Sequence, residues 1–346
     1  MERICIVGAG SWGTALGILL AKSGHSVTIW SIMNEEVEML NQHREHIDKL
    51  PGITLPDNIM VTNNLEEGMS QTGIVVMAVP SKFVRNTAKL VKQYIQPGQI
   101  IVNVAKGLEE ETLLTLAEVI EEEMPNNPVT VLSGPSHAEE VAKNIPTTCV
   151  VGARSKQVAE KIQDTFMSKT FRVYTSPDIR GIELGGALKN VIALAAGISD
   201  GLKFGDNTKA ALMTRGIAEI SRLGLAMGAS IHTFGGLSGV GDLIVTCTSM
   251  HSRNRRAGIL IGSGYTLEEA ISEVKMVVEG VNTANAAYKL AQKYNIEMPI
   301  IEQVSKVLFE NKNPKEAVED LMLRDKTKEH KEYEMDFNKI INWEEE

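Results

Sequence analysis

Residues 4–13 read Ile4-Cys5-Ile6-Val7-Gly8-Ala9-Gly10-Ser11-Trp12-Gly13, and this stretch decides the fold. Its first four residues are apolar and mostly β-branched, which is typical of a buried parallel strand. A helical pattern follows from Thr14 to Lys22, and a second strand is predicted at Val27–Trp30. A G-x-G-x-x-G motif between a strand and a helix predicts a turn that binds the pyrophosphate of a dinucleotide at the helix N-terminus. The alternative is a glycine-rich turn without a ligand.

Each glycine of the motif has a physical role. Gly8 permits the tight turn, Gly10 lets the backbone approach the pyrophosphate, and Gly13 lets the helix pack on the strand. The residues after the second strand usually decide the cofactor, because an acid binds the ribose 2′-hydroxyl and a base binds a 2′-phosphate. Ile32 and Met33 offer neither. The predicted cofactor is therefore NAD or NADP, with a lean towards NAD.

Three more predicted strands lead into short turns. They cover Ile74–Val79, Gln99–Val104 and Val129–Leu132, and they end at Pro80-Ser81, Ala105-Lys106-Gly107 and Ser133-Gly134-Pro135-Ser136. Ligands of open α/β sheets bind outside the carboxyl ends of the strands, so we expect Lys106 and the turn at 133–136 beside the cofactor. The alternatives are a solvated loop lysine and a helix capping box formed by Ser136 and Glu139. Strands at Thr147–Val151 and Phe171–Tyr174 are expected to complete the sheet.

From Asp178 onward the pattern becomes helical. Leu184–Ser199 carries a single charge, Lys189, and Gly185 and Gly186 lie four and three residues before that lysine. Two interior glycines cost a helix about 2 kcal/mol relative to alanine. We therefore expect them to leave room for a substrate and a nicotinamide over Lys189. The alternative is close helix packing, with the lysine reaching water.

The later part of the chain carries a predicted anion site. A glycine-rich loop at 235–241 ends at Asp242, and His251-Ser252-Arg253-Asn254-Arg255-Arg256 is the densest basic cluster of an acidic chain. Three arginines in four residues cannot easily face one small phosphate, so we expect Arg253 or Arg255 to bind it. The alternative is a solvated basic patch.

Two further segments complete the helical part. Thr208–Leu223 is predicted to be a helix with an Arg215–Glu219 ion pair, since the two residues are four positions apart. The tail from Asp325 is highly charged, and Trp343 is its main apolar residue. We expect this tail to be a docked or frayed helix without chemistry.

Length and composition limit the class of protein. The chain has 346 residues, and domains of about 150 residues are common, so two are expected. We place a dinucleotide-binding domain at 1–178 and a helical substrate-binding domain at 179–346. The predicted fold class is α/β, with an N-terminal Rossmann-like, mostly parallel sheet followed by an all-α C-terminal domain. The net charge of −9 argues against nucleic acid as a partner.

Metal sites, disulfides and a membrane anchor are not expected. Cys5, Cys149 and Cys247 are far apart and in no Cys-x-x-Cys spacing, which fits a reducing cytoplasm. The histidines at positions 43 and 46 have no accompanying carboxylate or cysteine set. Ile4–Ala21 is uncharged, but its four glycines are typical of a turn and helix rather than a membrane segment.

Taken together, these motifs resemble the bacterial NAD(P)-dependent glycerol-3-phosphate dehydrogenases over nearly the whole chain. The resemblance rests on eight motifs in the order of that family: Gly8-Ala-Gly-Ser-Trp-Gly-Thr-Ala15, Ala78-Val-Pro-Ser81, Lys106-Gly107, Leu132-Ser-Gly-Pro-Ser-His-Ala-Glu139, Gly185-Gly-Ala-Leu-Lys-Asn190, Gly239-Val-Gly-Asp-Leu243, His251-Ser-Arg-Asn254 and Val277-Val-Glu-Gly280. It implies reversible hydride transfer between dihydroxyacetone phosphate and sn-glycerol 3-phosphate, feeding phospholipid synthesis. Ile32-Met33 is the clear departure, since relatives often carry His or Arg there, and this weakens the case for NADP.

The resemblance also implies site residues. By analogy Lys189 is the proton donor and acceptor, and Lys106 and Asp242 complete the catalytic set. The implied substrate contacts are Lys106, Gly134, Ser136, Lys189, Asp242, Ser252, Arg253 and Asn254. The motif glycines and the resemblance together give the cofactor contacts Gly8, Gly10, Ser11, Trp12, Gly13, Lys106, Ala138, Arg253, Val277 and Glu279. A homodimer is the assembly considered.

The expected chemistry agrees with this assignment. Reduction of a ketone needs a proton on the carbonyl oxygen as hydride reaches the carbon. The hypothesis is that Lys189 donates it, with a pKa lowered by burial and by the charge of Lys106. Asp242 is expected to hold Lys189, while Arg253 and Asn254 bind the phosphate. The alternatives are a related two-domain dehydrogenase with another phosphorylated or acyl substrate, and a non-catalytic dinucleotide sensor.

Overall fold

The computed structural model describes residues 1–326, 328 and 329, and ten strands lie within them. They are β1 (Arg3–Val7), β2 (Ser26–Trp30), β3 (Glu45–His46), β4 (Leu50–Thr54), β5 (Ile59–Thr62), β6 (Ile74–Met77), β7 (Ile100–Asn103), β8 (Val129–Ser133), β9 (Thr147–Ala153) and β10 (Phe171–Ser176). Eight of them form one sheet in the order β10-β9-β8-β7-β6-β1-β2-β5, and β3 and β4 form a separate antiparallel ribbon. All neighbours in the large sheet are parallel except β8 and β9. The predicted strands and the mostly parallel sheet are confirmed.

Helices cover both faces of the sheet. The helices of this part are α1 (Ser11–Lys22), α2 (Asn34–His43), α3 (Leu65–Met69), α4 (Val84–Val91), α5 (Leu116–Glu123), α6 (Ala138–Ala142) and α7 (Lys156–Phe166). Apolar residues of α1, α6 and α7 pack on one face, and those of α3, α4 and α5 pack on the other. Since both faces are covered, the central strands are apolar throughout rather than alternating.

The remainder of the described chain is helical. It contains α8 (Ile179–Gly201), α9 (Asp206–Ala226), α10 (Ile231–Phe234), a π-helical turn (Leu237–Gly241), α11 (Asp242–Thr248), α12 (Arg253–Gly262), α13 (Leu267–Val274), α14 (Glu279–Tyr294), α15 (Pro299–Phe309) and α16 (Pro314–Met322). Helix α8 runs through the middle of a third apolar core, which confirms the helix predicted around Lys189. By length and composition α8 could cross a membrane, but its apolar window is fully covered by protein.

The carboxyl ends of the parallel strands meet at one edge of the sheet. Strands β1, β6, β7 and β8 are neighbours there, and the chain leaves them at Gly8, Ala78, Val104 and Gly134. The motif turn and the Lys106 loop therefore lie along the same edge, as expected for an open parallel sheet.

Three local predictions are wrong. Helix α1 begins at Ser11 rather than Thr14, so the last part of the glycine motif is already helical. Helix α6 has His137 as its N-cap, and the Ser136 hydroxyl donates to the Gly134 carbonyl oxygen (2.9 Å) instead of forming a capping box. The third error is the Arg215–Glu219 ion pair.

Glu219 has a different role from the one predicted. Its buried carboxylate accepts hydrogen bonds from the backbone N–H groups of Ile300 (2.9 Å) and Ile301 (3.3 Å) at the start of α15. Arg215 donates to the Glu329 carbonyl oxygen (3.0 Å). A helix N-terminus with unpaired amides attracts a carboxylate. Glu219 therefore binds the first amides of α15 instead of forming an ion pair with Arg215. The prediction for the tail falls mainly outside the described residues, and so does Trp343.

Candidate active site

Two lysines and one aspartate form a buried ionic network between the sheet edge and the helices. Lys106 follows β7, Lys189 is in the middle of α8, and Asp242 is the first residue of α11. Lys189 Nζ lies 2.7 Å from Asp242 Oδ1, and Lys106 Nζ lies 2.7 Å from Asp242 Oδ2. Asp242 is 1% exposed and Lys189 6% exposed. The structure therefore brings the predicted catalytic set together.

Burial tunes the proton affinity of this network. Burial lowers the pKa of Lys189 to about 8; Asp242 opposes that shift and the charge of Lys106 adds to it. Burial raises the pKa of Asp242, but the two lysines outweigh it and hold that carboxyl below its usual pKa. A lysine that can give up its proton near neutral pH is suited to acid–base catalysis.

Each ammonium group has a hydrogen left for a ligand. A lysine has three N–H donors. Lys189 uses one on Asp242 and one on the Thr246 hydroxyl (2.6 Å), while Lys106 uses one on Asp242 and one on the Gly134 carbonyl oxygen (3.0 Å). Within the described residues the third donor of each lysine has no partner. The pair can thus present two N–H groups to one substrate oxygen or to neighbouring ones.

The glycines before Lys189 do not leave open space, which corrects the prediction. A Cβ atom on Gly185 would lie 2.5 Å from the Ser238 carbonyl oxygen, and one on Gly186 would lie 2.9 Å from the Ser133 hydroxyl. The room is filled by the π-helical turn and by the end of β8. These contacts bring α8 against both elements, so the glycines serve close packing, and Lys189 points to Asp242 rather than to water.

Of the three clustered arginines, Arg255 has side-chain partners, whereas Arg253 and Arg256 have no hydrogen bond or ion pair among the described residues. Arg255 is bound to Asp200, with its Nη2 2.7 Å from the carboxylate, and its Nη1 donates to the Thr248 carbonyl oxygen (3.0 Å). Arg253 has no hydrogen bond or ion pair within the described part of the chain. It is the first residue of α12, whose N-terminal end favours anions. This arrangement favours a phosphate.

Ser252 and Asn254, on either side of Arg253 and also predicted to bind substrate, have structural partners. The Ser252 hydroxyl caps α12 by accepting from the Arg255 backbone N–H (3.2 Å). Asn254 donates to the Asn190 side-chain oxygen (2.9 Å) and accepts from the Gly280 N–H (2.8 Å). Asn190 follows Lys189 in α8, so this chain of contacts links the start of α12 to the lysine network.

The glycine motif fits a dinucleotide. Gly8 has φ +120°, a conformation that side chains rarely adopt, and a Cβ on Gly13 would lie 2.1 Å from the Gly8 carbonyl oxygen. A Cβ on Gly10, by contrast, would meet nothing within 4 Å. Helix α1 has no side-chain cap, so its first amides stay free. An uncapped helix start beside open space fits a pyrophosphate.

The remaining predicted cofactor contacts lie around this edge. Ser11 is the first residue of α1, Trp12 packs on the core of the sheet, and Ala138 starts the neighbouring helix α6. Glu279, at the start of α14, reaches across to the sheet and accepts from the Ser81 backbone N–H (3.0 Å) and hydroxyl. Val277 lies two residues before it, in the loop that joins α13 and α14.

Sequence reasoning missed two polar groups of this site. Thr246 lies one helical turn after Asp242 on α11 and binds Lys189, and that i, i+4 spacing from Asp242 was the available signal. His137 lies between Ser136 and Ala138, and its buried Nε2 atom has no hydrogen-bond partner among the described residues. Burial and the charges of Lys189 and Lys106 lower the pKa of His137, so it is neutral beside them.

Two sequence families match the chain. One is described as NAD-dependent glycerol-3-phosphate dehydrogenase N-terminus and matches residues 3–159. The other is described as NAD-dependent glycerol-3-phosphate dehydrogenase C-terminus and matches residues 178–319. Together they cover most of the sheet and most of the helical part.

Whole-length relatives agree with these matches. A glycerol-3-phosphate dehydrogenase (NAD(P)+) of Agathobacter rectalis is 61% identical over 96% of this chain and 99% of its own length. An enzyme of the same name from Fusobacterium nucleatum is 62% identical over 94% of this chain and 98% of its own. The crystal structure of glycerol-3-phosphate dehydrogenase from Coxiella burnetii superposes with a TM-score of 0.91 at 37% identity, covering 93% of this chain and 99% of that one.

Proposed function

The chain belongs to the NAD-dependent glycerol-3-phosphate dehydrogenase family, and from that membership we propose how its residues carry out the reaction. It is an oxidoreductase that uses NAD or NADP. It transfers a hydride reversibly between the cofactor and dihydroxyacetone phosphate, giving sn-glycerol 3-phosphate for phospholipid synthesis. The observation that supports the residue roles best is the network in which Asp242 joins Lys106 to Lys189.

In this proposal Lys189 is the acid–base residue. When bound, the nicotinamide supplies the hydride. Lys189 donates its third N–H to the substrate carbonyl oxygen and transfers that proton as the oxygen gains negative charge. Asp242 and Thr246 hold the ammonium in place, and Lys106 stabilises the developing charge with its own free N–H. In the reverse direction neutral Lys189 accepts the hydroxyl proton.

Separate groups bind the phosphate of the substrate and the pyrophosphate of the cofactor. Arg253 and the first amides of α12 take the phosphate, with Ser252 and Asn254 shaping that helix start. Gly134 and Ser136 complete the substrate side. The turn at residues 8–13 takes the pyrophosphate, with Ala138, Val277 and Glu279 around the cofactor. Residues 1–178 and 179–346 are the proposed dinucleotide-binding and substrate-binding domains.

The function is tested directly by adding dihydroxyacetone phosphate to the purified protein with NADH. We expect loss of the nicotinamide absorbance at 340 nm with equimolar formation of glycerol 3-phosphate. Dihydroxyacetone without its phosphate is the control and should react poorly, because the Arg253 site stays empty. Binding of NADH without any turnover would favour a dinucleotide sensor instead.

The pH dependence follows from Lys189, whose pKa is lowered to about 8. Reduction needs protonated Lys189, so kcat/KM for dihydroxyacetone phosphate should be constant below that pH and fall tenfold per pH unit above it. Oxidation of glycerol 3-phosphate needs the neutral amine, so its rate should rise through the same range. Profiles measured in both directions check this; a reduction rate that increases up to pH 10 would contradict the assignment.

Arg253→Ala should raise the KM for dihydroxyacetone phosphate about 30-fold with a smaller change in kcat, since it removes a charge-assisted contact to a group that does not react. Steady-state kinetics at saturating NADH measure both constants. The matched control is Arg256→Ala, which removes a charge from the same basic cluster at a residue to which no role is assigned. An unchanged KM for Arg253→Ala, or an equal rise for Arg256→Ala, would count against the phosphate site.

Cofactor preference is proposed to favour NAD. Ile32 and Met33 are 71% and 46% exposed after β2, and the nearby Lys49 is paired with Glu36, which also accepts from the Ser31 hydroxyl (2.6 Å). Lys49 is therefore already neutralised by Glu36 and is not free to bind a 2′-phosphate. We expect higher kcat/KM with NADH than with NADPH, and Met33→Arg should raise the value for NADPH about 10-fold. Met167→Arg, another exposed methionine, is the control; a strong wild-type preference for NADPH would refute this proposal.

The location, the partners and the oligomeric state of the enzyme are proposed from its resemblance to the family. A small phosphorylated substrate fits the family. We propose that the protein is cytoplasmic, has no membrane anchor and no nucleic-acid partner, and forms a homodimer. Light scattering of the purified protein measures its mass in solution and decides between one and two chains.

A further inference from the structure

Glu183 is a buried acid at the junction between the sheet and the helical part. It lies on α8, six residues before Lys189, and is 5% exposed. Its Oε1 atom accepts from the Ala117 backbone N–H (2.8 Å), in the first turn of α5, and from the Asn103 side-chain amide (3.2 Å). None of the reaction steps above uses this carboxylate.

Asn103 connects this carboxylate to the loop that carries Lys106. It is the last residue of β7 and is fully buried. Its side-chain oxygen accepts from the Ala105 backbone N–H (3.2 Å), and its side-chain nitrogen donates to the Ala105 carbonyl oxygen (3.3 Å). Ala105 is therefore held on both of its backbone polar groups, and Lys106 is the next residue.

Helix α8 thus reaches Lys106 by two routes. One runs from Lys189 through Asp242 to the Lys106 ammonium. The other runs from Glu183 through Asn103 to the backbone of Ala105, the residue before Lys106. The two routes hold both ends of the Lys106 residue relative to the same rigid helix, and a catalytic group needs such support to stay in productive geometry.

A carboxylate is an unfavourable choice for this position on stability grounds alone. Burial raises the pKa of Glu183 to about 7. A buried acid without a cationic partner costs free energy that its hydrogen bonds must offset, and the Oε2 atom of Glu183 has no hydrogen-bond partner among the described residues. Residues that lower stability in this way are expected near functional sites, where the position of a catalytic group matters more than the stability of the fold.

We propose that Glu183 is a positioning residue, which sets the place of Lys106 relative to Lys189 by holding Asn103 and, through it, the backbone of the Lys106 loop. This inference rests on the proposed role of Lys106. It assigns Glu183 no contact with substrate or cofactor.

Glu219 provides a matched control. It is also a buried glutamate on a helix, it also accepts backbone N–H groups at the start of another helix, and burial raises its pKa to about 7 as well. Its partners belong to α15, which carries none of the proposed site residues. Replacing it should reproduce the loss of a buried carboxylate without moving Lys106.

The first experiment compares single variants. Glu183→Ala should lower kcat/KM for dihydroxyacetone phosphate about 30-fold, because small displacements of a catalytic group are costly, and leave the KM for NADH unchanged. Glu183→Gln should stay within about 3-fold of the wild type, since its amide oxygen can accept both hydrogen bonds. Glu219→Ala should lower the melting temperature but leave kcat/KM unchanged. Asn103→Ala should lower kcat/KM by a similar factor to Glu183→Ala. If Glu183→Ala does not fold, Asn103→Ala replaces it in this experiment.

The second experiment is a double-mutant cycle with Lys106→Ala. If Glu183 acts through Lys106, Glu183→Ala should lower kcat/KM less than about 3-fold in the Lys106→Ala background, because coupled residues are not additive. Glu219→Ala should be additive with Lys106→Ala. Full additivity for Glu183→Ala would overturn this inference alone. A Lys106→Ala enzyme with normal kcat/KM would overturn the proposed role of Lys106 and this inference with it.

Discussion

Lys189→Ala is expected to lower kcat for the reduction of dihydroxyacetone phosphate about 10³-fold, the range that general acid catalysis contributes. Lys189 lies 2.7 Å from Asp242 and 2.6 Å from the Thr246 hydroxyl, and it has one N–H left for the substrate oxygen. Alanine removes the only proposed proton donor while leaving the cofactor turn at residues 8–13 untouched. The dissociation constant for NADH, measured by nicotinamide fluorescence, should therefore remain within about 2-fold of the wild type.

The control for this variant is Lys289→Ala. Lys289 is another helical lysine of the same part of the chain, but it is paired with Glu110 at the surface, 3.4 Å away. Its kcat should not change. A Lys189→Ala enzyme that binds NADH and keeps near-normal turnover would show that another group donates the proton.

Asp242→Asn is expected to have the largest effect on stability. Asp242 is 1% exposed and pairs with both lysines, so the neutral amide would leave the buried Lys189 and the partly exposed Lys106 without their counter-ion. Removing one partner of a buried ion pair typically costs about 3–5 kcal/mol of the free energy of unfolding. Urea unfolding at pH 7 measures that loss. Activity should also fall, because the mutual repulsion of the two lysines displaces both.

The pH profile of Asp242→Asn gives a second readout. Asp242 raises the pKa of Lys189, opposing the burial that lowers it. Without the carboxylate the pKa of Lys189 should fall further below 8, so the reduction rate should begin to decline at lower pH than in the wild type. Asp200→Asn is the matched control, since Asp200 also joins two cations, Lys209 and Arg255, each at 2.7 Å. It should leave the profile unchanged; a profile that stays the same in Asp242→Asn would contradict the proposed network.

The sheet and its cofactor turn were predictable because they depend on short segments. The β1 strand, the motif and the α1 helix are contiguous, and the six other predicted strands appear at the predicted places within a few residues. The strands that were not predicted, β3, β4 and β5, are only two, five and four residues long, and β4 contains Pro51 and Gly52, so their patterns are too short to indicate a strand.

The purpose of the glycines beside Lys189 was not predictable from α8 alone. Gly185 and Gly186 indicated that another group approaches α8 closely, and the structure confirms a close approach. What comes close is the Ser238 carbonyl and the Ser133 hydroxyl rather than a ligand. A helix sequence records the need for a small residue, but the identity of the neighbour depends on how distant elements pack.

The same limit applies to the basic cluster at 253–256. Arg253 and Arg255 are two positions apart in sequence and therefore point in different directions on α12. Arg255 is bound to Asp200, a residue of α8 that is 55 positions earlier, and Arg253 is left available. No pattern within the cluster distinguishes the two, because the distinction is made by a partner on another helix.

The sequence by itself determined the dinucleotide turn, since a strand, three glycines and a helix start specify the backbone that binds a pyrophosphate. It also supplied the residue types for acid–base chemistry and phosphate binding. Only the tertiary structure decided which lysines share a counter-ion: Asp242 is 136 residues from Lys106 and 53 from Lys189, and it meets both in one buried place. The physical reason is that charge coupling depends on distance and burial in space, and neither is encoded by spacing along the chain.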